Sequence, residues 1–178
     1  MILSLCDYSG VWSQPYENAG YKVVRVDLKH GQDVRLMEIP KVRVQGILAA
    51  PPCTVFASSG ARWPRTPAEM IEGLSIVDAC LRCVAVCKPA WWALENPVGK
   101  LVRYLGKPRM YFDPCDYGDP YTKKTCLWGD FTIPRKRPVL PLEGSRMHLR
   151  YGGKSERTKE ARSMTPEGFA RAFFEANP

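Results

Sequence analysis

Cys53 stands at the end of an apolar run, Gly46-Ile47-Leu48-Ala49-Ala50, behind two prolines, Pro51 and Pro52. Proline fixes φ and donates no backbone hydrogen bond, so the pair stops a strand and turns the chain out of its sheet with a thiol at the tip. A deprotonated thiol in such a place is a carbon nucleophile, whereas most cysteines are small buried hydrophobes. Forty-two residues on, Trp91-Trp92-Ala93-Leu94-Glu95-Asn96-Pro97 repeats the arrangement with a carboxyl and an amide in place of the thiol. A carboxyl held out of water keeps its proton to higher pH and can donate it. Thiol and acid, each ending a strand, would share a cleft in a parallel α/β sheet, where ligands bind at the carboxyl ends of the strands.

The elements needed to bring them together are legible on either side. Ile2-Leu3-Ser4-Leu5 reads as a buried strand, Cys6-Asp7-Tyr8-Ser9-Gly10 as a turn and Ser13 to Ala19 as a helix closed by Gly20. A second strand, Tyr21 to Val26, ends on Asp27, seventeen residues after Gly10, close to the spacing at which an acid reaches a ribose hydroxyl in dinucleotide folds. Pro67 to Lys88 reads as one amphipathic helix carrying Cys80, Cys83 and Cys87 on a single face. That face argues for packing on the sheet. A zinc site there would need Cys115 or His148 as a further ligand, and zinc knuckles use turns, so no metal is assigned. Thr165-Pro166-Glu167 opens a closing helix over 165–178, with Thr165 as cap, Pro166 at its first position and Phe169, Ala170, Phe173 and Phe174 as its apolar face.

Taken in order, these segments resemble the C5-cytosine DNA methyltransferases over roughly residues 1 to 130. Leu3 to Trp12 is similar to that family's first cofactor loop, Asp27 to its ribose-binding acid and Gln32-Asp33-Val34 to its adenine-contacting segment. Pro51-Pro52-Cys53 resembles the nucleophile motif and Glu95-Asn96-Pro97 the Glu-Asn motif. Tyr117 to Lys124 is similar to the Gly-x-Pro-Gln-x-Arg-x-Arg segment, with Tyr121 for Gln and Thr125 for the second Arg. Ser4 stands where an Asp is usual and Tyr8 where the first loop glycine is usual. The resemblance implies one Rossmann-like, class I methyltransferase domain over 1–178, α/β with a mostly parallel sheet and helices on both faces. It implies S-adenosylmethionine as methyl donor, held by Asp7, Tyr8, Ser9, Gly10, Asp27, Leu28, Asp33, Val34 and Pro51. It implies catalysis by Cys53, Glu95 and Asn96: the thiolate adds to C6 of cytosine, C5 is methylated, and Glu95 serves the ring nitrogen. The family's target recognition domain would follow Gly129, where this chain has only about fifty residues. In this it is similar to compact phage and prophage members.

At 178 residues and 45% hydrophobic, the chain can bury one substantial core, and one domain is expected. No apolar run approaches the roughly 20 residues of a spanning helix, and the N-terminus has no secretory pattern, so a cytoplasmic protein with no membrane partner is expected. Seven cysteines, an odd number at irregular spacing, do not form a disulfide framework. Net charge is +8, and from Phe131 onward ten Lys or Arg face five Glu. The segment 131–162, with Arg135, Lys136, Arg137, Arg146 and Arg150 among Gly, Pro and Ser, reads as a loop-rich basic strip in place of the recognition domain. With Lys123 and Lys124 it suits nucleic acid, DNA foremost; the plainer alternative is a solvated surface. A partner protein or self-association would supply what the missing domain does. RNA, single-stranded DNA or a free cytosine nucleotide are alternative substrates, and a retired scaffold that only binds nucleic acid is the alternative outside the enzymes.

Overall fold

The computed structural model describes residues 1–60, 63–145 and 156–178, the side chains of Glu156, Arg157 and Lys159 excepted. In chain order the elements are β1 (Ile2–Leu5), α1 (Gln14–Asn18), β2 (Val23–Val26), β3 (Gly46–Ala49), α2 (Pro67–Cys87) and β4 (Trp91–Pro97). They continue with α3 (Val102–Leu105), β5 (Met110–Phe112), β6 (Thr125–Asp130), α4 (Glu156–Ser163) and α5 (Glu167–Ala176). One six-stranded sheet has the order β2-β1-β3-β4-β6-β5. The first four strands run parallel, and β6 runs antiparallel to both β4 and β5. The mostly parallel α/β sheet is the one the sequence predicts.

Both faces of the sheet are covered, as the near-continuous apolar strands require. Leu3, Leu5, Ile47, Ala49, Leu94 and Trp128 face α2, where Val77, Cys80 and Cys83 are buried against them. Ile2, Leu48, Ala93 and Leu127 alternate to the other face and meet Trp12, Tyr16, Phe169 and Phe173 from the α1 and α5 side. The bounds of α2 follow from its ends: Thr66 and Glu69 form a capping box, Pro67 is at the first position, and Lys88 closes it in left-handed conformation. The cysteines of α2 are thus packing groups on the sheet.

Two expectations change. The strip 131–162 is not loop throughout, because Glu156–Ser163 is helical. That stretch lacks Gly and Pro and is rich in good helix formers, but it has no apolar stripe to announce it. The closing helix also starts later than its sequence suggests: Pro166 is the N-cap, Glu167 the first helical residue, and Thr165 is buried without capping. The capping work is done from afar, since the Gly168 N–H donates to the Asp119 carboxylate at 2.9 Å.

Candidate active site

Strand order reverses between β1 and β3: β2 lies to one side, β3 and β4 to the other. At that switch point the loops leaving adjacent strands diverge and open a crevice. Register places the residues of interest in one row. Leu5 pairs with Val26 and with Ala49, and Ala49 pairs with Leu94, so Cys6, Asp27, Ala50 and Glu95 fall in one row, the first three just past their strands and Glu95 still within β4, opposite Leu127 of β6. The next row sets Pro51 beside Asn96, and the Asn96 amide donates to the Pro51 carbonyl at 2.9 Å. Its own carbonyl oxygen is buried and makes no hydrogen bond among the described residues. The Cys53 turn is closed by its carbonyl, which accepts from Phe56 N and Ala57 N, each at 2.9 Å. It is stitched to the end of β4 through Ser58 N to Val98 O at 2.9 Å and Lys100 N to Phe56 O at 2.7 Å.

Glu95 is only 7% exposed. Burial pushes its carboxyl above the ordinary range, and the charge of Lys123 partly opposes this. The Lys123 ammonium sits 4.0 Å from the Glu95 carboxylate and donates to the Met164 carbonyl at 3.4 Å. Burial also pushes the Cys53 thiol up; the charge of Glu95 adds to this, while Lys123 and then Arg162 pull the other way. Cys126 is pushed up to about 11, first by burial and then by Glu95. Burial thus raises both the acid and the thiol, and the positive charge of Lys123 opposes the shift of each.

On the switch-point side the loop is built around Asp7. Its buried carboxylate accepts from Ser4 Oγ at 2.7 Å, Ser13 Oγ at 3.0 Å, Gly10 N at 2.9 Å and Ser9 Oγ at 3.4 Å. Asp7 thus shapes the turn from within. Gly10 has φ of +70°, and the Arg25 guanidinium occupies the space a Cβ would take. Tyr8 is turned outward, 44% exposed, its ring centroid 5.2 Å from that of His30 and 4.6 Å from the Lys29 ammonium. Asp27 caps a short turn at Leu28–His30 by accepting from Lys29 N at 2.8 Å, and its second oxygen makes no bond among the described residues. Leu28 is exposed beside it. Asp27 can therefore accept a ribose hydroxyl, and the row suits an adenosyl group. Asp33 is less available: the Arg35 guanidinium grips both its oxygens at 2.6 to 3.0 Å and holds the carboxyl below the usual range. Val34 is buried in the core. The Asp33-x-Arg35 spacing was the available signal for this grip.

Comparison with solved structures fixes the architecture. At 18% identity and a TM-score of 0.52, over 78% of this chain and 52% of the other, it is similar to a candidate DNA modification methyltransferase encoded within an E. coli prophage. The two share a fold. This chain spans about half the length of that protein, 52% of it. A variant of Spodoptera frugiperda DNMT2 gives a looser match, TM-score 0.41 at 18% identity, over 78% of this chain and 54% of that one. No protein-family model and no curated protein matches.

The remaining basic residues separate into groups. Lys123 belongs to the acid and the thiol, and Lys124 is exposed at the same edge. Arg135, Lys136 and Arg137 lie on the flank, where Lys136 pairs with Asp116 at 3.1 Å and Arg137 with Glu175 at 3.1 Å. Arg146 and Arg150 lie outside the described residues. Arg162, which the sequence shows only as one member of a basic strip, acts electrostatically on Cys53. Among the described residues no helix is long and apolar enough to cross a membrane.

Proposed function

We propose that this chain transfers a methyl group from S-adenosylmethionine to C5 of cytosine in nucleic acid, with DNA as the favoured substrate. The observation that carries the proposal is the row of strand ends setting Asp27, Cys6, Ala50 and Glu95 side by side, with Cys53 on the next turn and within the charge field of Glu95. Asp27, with the turn Asp7 to Gly10 and Pro51, would hold the donor, which supplies an electrophilic methyl when bound. Cys53 adds to C6 and makes C5 nucleophilic. Glu95, whose carboxyl burial raises, donates a proton toward the ring nitrogen as negative charge develops there, and Lys123 steadies the carboxylate it leaves. After methylation water accepts the C5 proton, the C6–sulfur bond breaks with its electron pair leaving on Cys53, and the ring nitrogen returns its proton to Glu95, restoring the ring. Asn96 ties the thiol's turn to the strand of the acid, so both keep one spacing. The outward turn of Tyr8 supports a working loop over a retired scaffold, since the ring leaves the switch point open.

The deciding experiment is incubation with labelled donor and 5-fluorocytosine placed in duplex DNA, single-stranded DNA, RNA and a free nucleotide. Fluorine cannot leave as a proton does, so a methylated covalent complex should accumulate on the true substrate class. Cys53→Ser should abolish both trapping and turnover, because an alcohol is far less nucleophilic than a thiolate near neutral pH. Normal turnover by Cys53→Ser would end the C5 mechanism. Sequence selection by a second copy or a partner protein belongs to the same proposal, as does single-domain operation.

A further inference from the structure

Two cations act on the Cys53 thiol: Lys123 and, more weakly, Arg162 lower it, against burial and the charge of Glu95. Lys123 lies 4.0 Å from Glu95, so that pair is matched. Arg162 makes no ion pair among the described residues. It is also held in place. On one flank Glu160 of α4 pairs with Lys29 at 2.5 Å, beside the Asp27 turn. On the other, Met164 N donates to Glu160 O at 3.2 Å, while the Met164 carbonyl accepts from Lys123 at 3.4 Å. Helix α4 thus bridges the donor side and the acid side of the crevice, and Arg162, partly exposed in its last turn, lies between those two ties in the chain without an ion pair among the described residues. A guanidinium offers forked donors that fit phosphate, and one left without a carboxylate partner at the rim of the crevice suits an anion carried by the ligand. The anion a cytosine nucleotide carries is its phosphate.

We infer that Arg162 binds the phosphate of the nucleotide whose base lies against Cys53, whether a phosphodiester within a strand or the phosphate of a free nucleotide. The nature of the base rests on the proposed function; the anion site does not. The test is the rate at which iodoacetamide alkylates Cys53, read by peptide mass at constant ionic strength. The competitors are inorganic phosphate, deoxycytidine, dCMP and a short single-stranded oligodeoxynucleotide. Protection by dCMP or the oligonucleotide should be at least tenfold stronger than by deoxycytidine, and the stronger of the two names the source. Arg162→Gln should lose that advantage and Arg162→Lys keep part of it, with thermal unfolding unchanged in both. Arg162→Gln should also move the alkylation midpoint to higher pH, because one of the two cations that oppose burial and Glu95 is then gone. Equal protection by dCMP and deoxycytidine, or undiminished protection of Arg162→Gln, would overturn the inference. If Arg162-dependent protection holds while the fluorinated substrates are never trapped, the anion site stands and the methyl transfer fails.

Discussion

Glu95 couples chemistry to stability. It keeps its proton to higher pH in the folded chain than in the unfolded one, because burial raises its pKa. Between the ordinary glutamate range and the raised value the folded state binds more protons, so stability contributed by the neutral acid is full below that window and is lost as pH climbs through it. Urea unfolding from about pH 4 to about pH 8 should show this decline, and Glu95→Gln should flatten it. An unchanged profile in that variant would mean that Glu95 is ionised throughout. The same substitution should slow methyl transfer by roughly a hundredfold or more, the usual loss with a general acid. Asp27 gives a separate test on the donor side. A carboxylate bond to a ribose hydroxyl is worth about 1.5–3 kcal/mol, so Asp27→Ala should weaken donor binding roughly tenfold to a hundredfold by calorimetry. Because Arg35 already grips Asp33, Asp33→Asn should do less to donor affinity than Asp27→Ala.

Strand β6 is the element that brings Lys123 to Glu95, and its fit against β4 depends on Gly129. That residue has φ of +143°, and a Cβ there would strike the Trp92 carbonyl. Gly129→Ala should therefore lower stability by about 2–3 kcal/mol and depress the melting temperature, whereas Gly20→Ala, at φ of +84° with nothing near, should cost less. Elements announced by punctuation were legible in the sequence: the Gly46–Ala49 run before Pro51, the Trp91–Pro97 run, and α2 between Pro67 and Lys88. Their order also placed Cys53 and Glu95 on neighbouring strand ends. Helix α4 was not legible, because its sequence from Glu156 to Ser163 carries no apolar stripe to announce it. Nor was the electrostatic influence of Arg162 on Cys53, which depends on the long-range ties of α4 to Lys29 and Lys123 rather than on local pattern. The Asp119 cap of α5 was hidden for the same reason.

Across the whole molecule the excess of +8 is less available than its sum suggests, since Lys136 and Arg137 already meet Asp116 and Glu175. If nucleic acid binds along the catalytic edge, Lys124→Gln should reduce the salt slope by about 0.7–0.9, whereas Lys136→Gln and Arg137→Gln should each change it less. Equal effects from all three would place the polyanion on the flank instead. The two faces of the sheet also differ in when they can close. The α2 face needs only residues up to β4 and β6, but the other waits for α5: Phe173 meets Trp12, Trp91 and Phe131, and the Tyr16 hydroxyl donates to the Asn177 carbonyl at 2.7 Å. A nascent chain leaving the ribosome would thus carry a half-clad sheet, with Ile2, Leu48 and Leu127 open on one side, until Phe173 had been synthesised. Translation speed over the last helix then sets how long that adhesive face is exposed to other chains.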